Sequence, residues 1–432
     1  MIATLLFAVF IITMLLGVPI GASLGLAGAA AIALANRDTS WFGLLAVPQN
    51  FYAGLGKYPL LAIPMFVLVG SIFDRSGVAQ RLVNFAIALV GRGPGMLPLV
   101  AICVAMFLGG ISGSGPANAA AVGAVMIAAM NRAGYPASYS ASVVGAAAAT
   151  DILIPPSVAF IVYSVLVPGA SVPALFAAGM IPGVLAGIAL IVPAVWLARK
   201  HGMGALEATL PRPPLLKSFI EALWGLAAPV LILGGMRMGW FTPTEAAVVA
   251  VFYGLFVGMF VYRTMTVRDL FPILKESGEL SAVILLVVSL AGIFAFSLST
   301  LGVIDPITNA IVNSGLGEYG VLALLILMLI TVGMFLDGVS IFLIFVPLLW
   351  PIVQHYHWDP VWFGVLLTLK VALGQFTPPL AVNLMVSCRI ANVRMEETVR
   401  WVGPMLLAMG LVMVAVIIWP ELALWLPRVL GY

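Results

Sequence analysis

Hydrophobic positions along this chain fall in long unbroken runs. Leu, Ile, Val, Ala and Phe fill 2–16, 172–198 and 280–300 almost without a charge. Apolar runs of about 17–25 residues cross roughly 30 Å of hydrocarbon as helices, because an isolated segment in lipid must satisfy its backbone internally. The pattern predicts ten complete spans, near 2–16, 18–35, 59–74, 138–168, 172–198, 218–236, 242–262, 280–300, 360–390 and 398–420. Two further apolar stretches, 94–132 and 319–355, are interrupted at a polar point and predict re-entrant hairpins. Segments 40–57 and 266–278 predict amphipathic arms lying in the membrane interface. The longest polar stretch, around 199–217, is a linker too short to fold alone.

Composition agrees. Of 432 residues, 63% are hydrophobic and 8% charged, against about 25% charged in soluble domains. The glycine-lysine element at 53–58, AGLGKY, lacks the spacing and hydroxyl residue of a phosphate loop, so nucleotide hydrolysis is not expected to drive the protein. The start, MIATLLFAVFIITMLLG, has no basic region and no small-residue cleavage site, and reads as a retained first span. Cys103 and Cys388 sit in apolar helical surroundings and read as core filler. No enzyme-like constellation of side chains and no nucleic-acid or metal-cluster motif appears; His355 and His357 belong to a loop.

Landmarks repeat along the chain at a nearly fixed distance. Pro243 follows Pro19 by 224 residues, Gly302 follows Gly77 by 225, Pro378-Pro379 follows Pro155-Pro156 by 223, and Pro404 follows Pro182 by 222. The pattern implies a duplicated unit, 1–208 and 218–432, joined by a cytoplasmic linker at 209–217. Charge gives the orientation. Arg75, Arg81 and Arg92 follow the span at 59–74, whereas the equivalent segment at 301–320 has no Lys or Arg. Arg132 likewise follows the first hairpin, whereas QHYHWD after the second has no Lys or Arg. Since basic residues stay mostly on the cytoplasmic side, equivalent loops lie on opposite sides, an inverted-topology repeat; Arg237 and Arg428 are the two exceptions. Both termini then face outward.

Each half contains two polar interruptions at mid-membrane depth. The hairpins break at GGISGSGPANA (109–119) and FLDGVSIF (335–342), and two spans break at ATDILIPPSVAF (149–160) and GQFTPPLAVN (374–383). Backbone leaving a helix at that depth must be satisfied by something other than lipid. Carbonyls freed by Gly and Pro, with hydroxyls, amides and a carboxylate, are the oxygen ligands a hard cation such as Na+ takes. Ser112, Ser114 and Asn118, with carbonyls near Gly110 and Gly113, face the break from Asp151 to Ser157. Asp337, Gly338 and Ser340 face Gln375, Thr377 and Asn383. Helical pieces restarting at Pro116, Pro156 and Pro379 direct amide-bearing ends inward, where an anion is favoured. Intramembrane carboxylates are costly, so Asp151 and Asp337 read as functional, with a structural hydrogen-bonding role as the alternative.

The runs GVPIGASLGLAG, IPMFVLVGSIFDRSGV, GGISGSGPANAAAVGAVMI, DILIPPSVAFIVY, MFLDGVSIFLIFVPLLWPI and GQFTPPLAVNLMV, in order over essentially the whole chain, resemble the large membrane subunit of tripartite ATP-independent periplasmic (TRAP) transporters. The resemblance implies an all-α polytopic protein of the bacterial inner membrane, moving by an elevator-type slide of a transport domain against a scaffold. It implies sodium-coupled uptake of a small organic acid of sialic acid, C4-dicarboxylate or sugar-acid type, delivered by a periplasmic binding protein. It implies a small four-helix membrane subunit, here on a separate polypeptide, because the chain begins with the large subunit's first span. That family also resembles divalent-anion symporters, which leaves a self-sufficient sodium/dicarboxylate carrier as the alternative. Carried over by motif, Ser112, Gly113, Ser114 and Asn118 with Asp151 and Pro155 form one sodium site. Asp337, Gly338 and Ser340 with Thr377, Pro378 and Asn383 form the other. Ser114, Pro156, Ser157 and Gln375 become the candidate substrate contacts.

Overall fold

In the computed structural model, the described residues (2–35, 44–90, 93–209, 212–334, 336, 338–379 and 381–432) carry helices, turns and loops, with no strand among them; the side chains of residues 111 and 112 lie outside this description. Helix α1 (Ile2–Leu15) turns at Gly17 into α2 (Ile20–Ala35), and α3 (Ala46–Leu55) leads into α4 (Ala62–Arg75) and α5 (Val78–Leu89). A helical hairpin follows, α6 (Met96–Ser112) and α7 (Gly115–Arg132), then an interrupted pair, α8 (Ala137–Ala148) and α9 (Val158–Leu166), then the long α10 (Val172–Lys200). The second half starts with α11 (Leu215–Arg237), α12 (Pro243–Phe256) and α13 (Val267–Thr300), followed by α14 (Ile304–Val312). A hairpin, α15 (Gly317–Gly333) and α16 (Gly338–His355), again precedes an interrupted pair, α17 (Pro360–Gln375) and α18 (Val382–Ala391), and a long helix, α19 (Val399–Ile418); α20 (Glu421–Leu430) ends the chain.

The sequence landmarks occupy equivalent places in this order. Pro19 and Pro243 stand at the starts of α2 and α12, and Gly77 and Gly302 adopt left-handed turns (φ 73° and 60°) that end α4 and α13. Pro155-Pro156 and Pro378-Pro379, both cis, precede the restarts of the interrupted pairs, and Pro182 and Pro404 lie inside α10 and α19.

Among the described residues, seven helices are long and apolar enough to cross a membrane: Tyr58–Arg75, Val172–Lys200, Leu215–Arg237, Pro243–Val261, Val267–Thr300, Gly338–His355 and Met395–Ile418. Six correspond to predicted complete spans. The seventh is the second arm of the hairpin expected at 319–355; 2–16 and 18–35 are shorter helices, and 138–168 and 360–390 are interrupted between α8 and α9 and between α17 and α18, where the sequence marks breaks. Segment 266–278, expected as a separate arm, is instead the first part of the continuous 34-residue α13. A capping box between Thr266 and Asp269 starts the helix, and Pro272, near its start, removes one ladder bond without stopping it. The linker expected to end at 217 already becomes helical at Leu215. Arm 40–57 is seen as α3 from Ala46 to Leu55; residues 40–43 lie outside the described residues.

Packing between α2 and α13 sets the frame against which the site is built. Gly21, Gly25 and Gly28 form a small-residue stripe. A Cβ on them would approach Val287, Leu290 and the Phe294 backbone to 2.8, 2.5 and 2.9 Å, so the helices meet at backbone distance. The Ser297 hydroxyl then donates across the seam to the Gly28 carbonyl at 3.0 Å. Helix α4 packs on α12 and α13, and together α4 and α13 present one wall to the hairpins.

Candidate functional site

The first hairpin tip forms because the sequence supplies a residue able to turn left-handed. Gly113 has φ 61°, and Ser114 is extended (φ −133°, ψ 105°) before α7 restarts with Pro116 near its start. The tip lies directly on the first interruption. A Cβ at Gly113 would come within 2.9 Å of the Pro156 carbonyl oxygen, and one at Gly110 within 3.2 Å of the Pro155 oxygen. Asp151, fully buried, lies against Gly109, where a Cβ would meet its Oδ1 at 2.9 Å. Between Ala148 and Val158 the chain runs through turns to the extended Ser157 (φ −128°, ψ 124°), which precedes α9.

The second interruption has the same construction with a different restart. Helix α17 ends at Gln375, and α18 restarts after Ala381, which is held left-handed (φ 42°, ψ 72°), an uncommon conformation for a residue with a Cβ. Here Gly374 and Gly333 bring the two helices of the second half into backbone contact: a Cβ at Gly374 would approach the Gly333 oxygen to 2.6 Å. The halves also meet each other. A Cβ on Gly115 would lie 2.8 Å from both Asn383 Oδ1 and Gln375 Oε1, and the Asn383 amide donates to Gln375 Oε1 at 3.0 Å.

All four interruptions open on one cavity of about 360 Å³. The first tip contributes Gly113, Ser114, Gly115, Pro116 and Ala117; the first break contributes Ile152, Val158 and Ala159. Gly338 and Val339 come from the second tip, and Gln375 and Val382 from the second break. The opposite wall is α4, through Val67, Gly70, Ser71 and Asp74, and α13, through Glu276, Leu280 and Ile284. The amino-terminal ends of α7, α9, α16 and α18 thus converge, two from each half. Each such end is the positive pole of its helix, equivalent to roughly half a positive charge, so the floor of the cavity favours an anion. The carboxyl-terminal ends of α6, α8, α15 and α17, the negative poles of those helices, lie beside them and suit a cation.

The predicted residues divide by position. Ser114 and Gln375 line the cavity, as do Gly113 and Gly338, and the Ser114 hydroxyl makes no hydrogen bond to protein among the described residues. Asn118 and Asn383 are buried just behind the tip. Asn118 donates to the Ala105 carbonyl at 2.8 Å, and the Oδ1 of each asparagine accepts no hydrogen bond among the described residues. Pro155 and Pro156 are buried and turn carbonyls toward the tip. Ser157 is not on the cavity wall: it is fully buried and its hydroxyl donates to the Ile152 carbonyl at 2.6 Å. Thr377 similarly donates back to the Leu373 carbonyl at 2.5 Å, and Pro378 beside it is half-buried. Ser340 is buried in the first turn of α16. Asp337 and the Ser112 side chain lie outside the described residues. The sequence reading did not single out Asp74, Glu276 and Ser71 on the facing wall. Ser71 and Asp74 are polar positions one turn apart on the largely apolar α4, whereas Glu276 sits among the charged residues at the start of α13 and carries no separate signal.

Residues 7–422 match the family described as the tripartite ATP-independent periplasmic transporter, DctM component. The chain is 34% identical to the C4-dicarboxylate TRAP transporter large permease protein DctM of Rhodobacter capsulatus, over 99% of both chains. It is 34% identical to the sialic acid TRAP transporter large permease protein SiaM of Vibrio cholerae, over 96% of each. Against the isethionate TRAP transporter permease protein DctMQ of Oleidesulfovibrio alaskensis, identity is 35% over 94% of this chain and 63% of the relative. In fold it is similar to the crystal structure of the Alcanivorax borkumensis YdaH transporter, with a TM-score of 0.60 at 12% identity, covering 95% of this chain and 99% of that one. A match over nearly the whole chain, joined to a cavity built from helix ends, places this multi-pass membrane protein in the DctM family of TRAP transporter permeases; it is not an enzyme.

Proposed function

We propose that the chain is the large permease of a sodium-coupled importer of a small organic acid in the bacterial inner membrane. The observation that carries this reading is the convergence of four helix amino termini, two from each half, on one cavity whose charged wall residues lie on the opposite side. Partial positive charge at four helix ends, without a fixed cation among the cavity's lining residues, suits a carboxylate or sulfonate that binds and leaves repeatedly. Relatives named for C4-dicarboxylates, sialic acid and isethionate support this substrate class, since each is a small organic acid.

Sodium is cargo in this reading. The orphaned Oδ1 atoms of Asn118 and Asn383, with the Pro155 and Pro156 carbonyls, are neutral oxygens of the type Na+ takes. Asp151 supplies a nearby carboxylate; Asp337 is assigned from sequence alone. Ion binding would order the tips, and the anion would bind well only to ordered tips, so the affinity difference between two states couples the fluxes. The hairpins, α8–α10 and α17–α20 would slide as an elevator past α1–α5 and α11–α14, with 1–208 and 218–432 as inverted repeats around the linker. Partners of the reading are a periplasmic binding protein and a small membrane subunit. The chain covers 99% of the R. capsulatus protein called a large permease and 68% of the Haemophilus influenzae SiaT permease. Uptake into proteoliposomes holding both membrane subunits, with cognate binding protein outside, tests the coupling: an inward Na+ gradient should raise the rate about tenfold or more. Equal rates with and without the gradient would reject it.

A further inference from the structure

The charged lining residues of the cavity are Asp74 and Glu276, both acidic and both on the α4/α13 wall. They stand at one end of that wall. On α4 the lining runs Val67, Gly70, Ser71, Asp74, about 10 Å of helix; on α13 it runs Ile284, Leu280, Glu276. Asp74 and Glu276 are exposed, whereas Val67 and Ile284 at the other end of the wall are half-buried. An anion passing there meets two carboxylates, unless a cation offsets them. Arg75 supplies it: its Nη2 donates to Glu276 Oε2 at 2.8 Å, across helices 201 residues apart in sequence. Asp74 and Asp269 also lie within the guanidinium's electrostatic reach.

This pair is exchangeable. Its side chains are 41% and 54% exposed, and ion pairs with such access to water contribute only about 0–1 kcal/mol. Replacing one carboxylate on the guanidinium by another is therefore close to isoenergetic, while the planar fork keeps its preference for carboxylate or sulfonate oxygens. We propose that Arg75 is the mouth ligand of the transported organic anion, and that Glu276 holds its place when the substrate is absent. This inference rests on the reading of the cavity as an anion path.

The test needs no identified substrate. In a background with Cys103→Ala and Cys388→Ala, a thiol introduced by Ala117→Cys, on the deep side of the cavity, reports which reagents pass the mouth. Its reaction rates with an anionic sulfonatoethyl and a cationic trimethylammonioethyl methanethiosulfonate give an anion-to-cation ratio that cancels general changes in access. Arg75→Gln should lower the ratio about tenfold, Glu276→Gln should raise it, and Arg75→Lys should keep most of it. A ratio within twofold of the parent in both the Arg75→Gln and Glu276→Gln proteins overturns the proposal, as does failure of both reagents to reach the thiol in the parent. If Arg75→Gln does not fold, Glu276→Gln and Arg75→Lys decide between the outcomes. An unchanged ratio with sodium-driven uptake intact removes Arg75's role alone; a shifted ratio without such uptake removes the transport reading.

Discussion

Asn383 shows what an interruption does at the level of one side chain. Its amide nitrogen is engaged by Gln375, and its carbonyl oxygen is buried without a donor. An unpaired buried polar oxygen costs about 1–3 kcal/mol, which a bound cation would offset. Asn383→Leu removes both the oxygen and its burial penalty. The sodium concentration for half-maximal uptake should rise on the order of tenfold, equivalent to about 1.4 kcal/mol, while thermal stability in sodium-free buffer stays level or rises. A sodium titration of uptake and of melting temperature checks both; an unchanged sodium requirement would remove Asn383 from the ion site. Polar residues inside apolar runs were legible in the sequence, because each is conspicuous against leucine and valine. Which way each hydroxyl points was not legible. Ser157 and Thr377 turn back onto their own backbone while Ser114 borders the cavity, and that choice depends on what the fold brings alongside.

At the scale of elements, the loop after α10 is tied to the base of the first hairpin. Glu207 accepts from the Leu97 amide at 3.0 Å and from the Tyr135 hydroxyl at 2.5 Å, and the same hydroxyl accepts from the Gly95 amide at 2.7 Å. Burial raises the Glu207 carboxyl above its ordinary value; the Tyr135 and Leu97 hydrogen bonds and Arg212 pull the other way. A raised carboxyl favours the folded state fully below its unfolded value near 4.5 and loses that contribution as pH rises through the folded value. Melting temperature of the wild type in detergent should therefore fall relative to Glu207→Gln as pH rises from about 4.5. Parallel curves would show that the carboxyl titrates alike folded and unfolded. The broken helices were legible because glycine and proline mark them. Helices α5, α14 and α20 were not, since pieces of 9–12 residues are too short to register as spans. The continuity of α13 was hidden by Pro272 and its charged neighbours, which resemble the end of an arm.

For the whole molecule, the spacing of proline and glycine landmarks was legible, and those landmarks stand at equivalent places in the order of helices. The meeting of the four breaks at one cavity was not readable from spacing, because it depends on how the halves dock, and that docking is made by contacts such as Gly115 against Asn383 and Gln375. The central claim is that oxygens of these breaks hold sodium and that sodium orders the tips. Hydrogen exchange of the purified protein measures this without substrate or partner, since a ligand bound to the ordered state suppresses local opening. At equal ionic strength, replacing potassium by sodium should slow amide exchange at 113–118 and 381–384 several-fold and leave α1 and α2 unchanged. Identical exchange at 113–118 and 381–384 in the two salts would contradict the account.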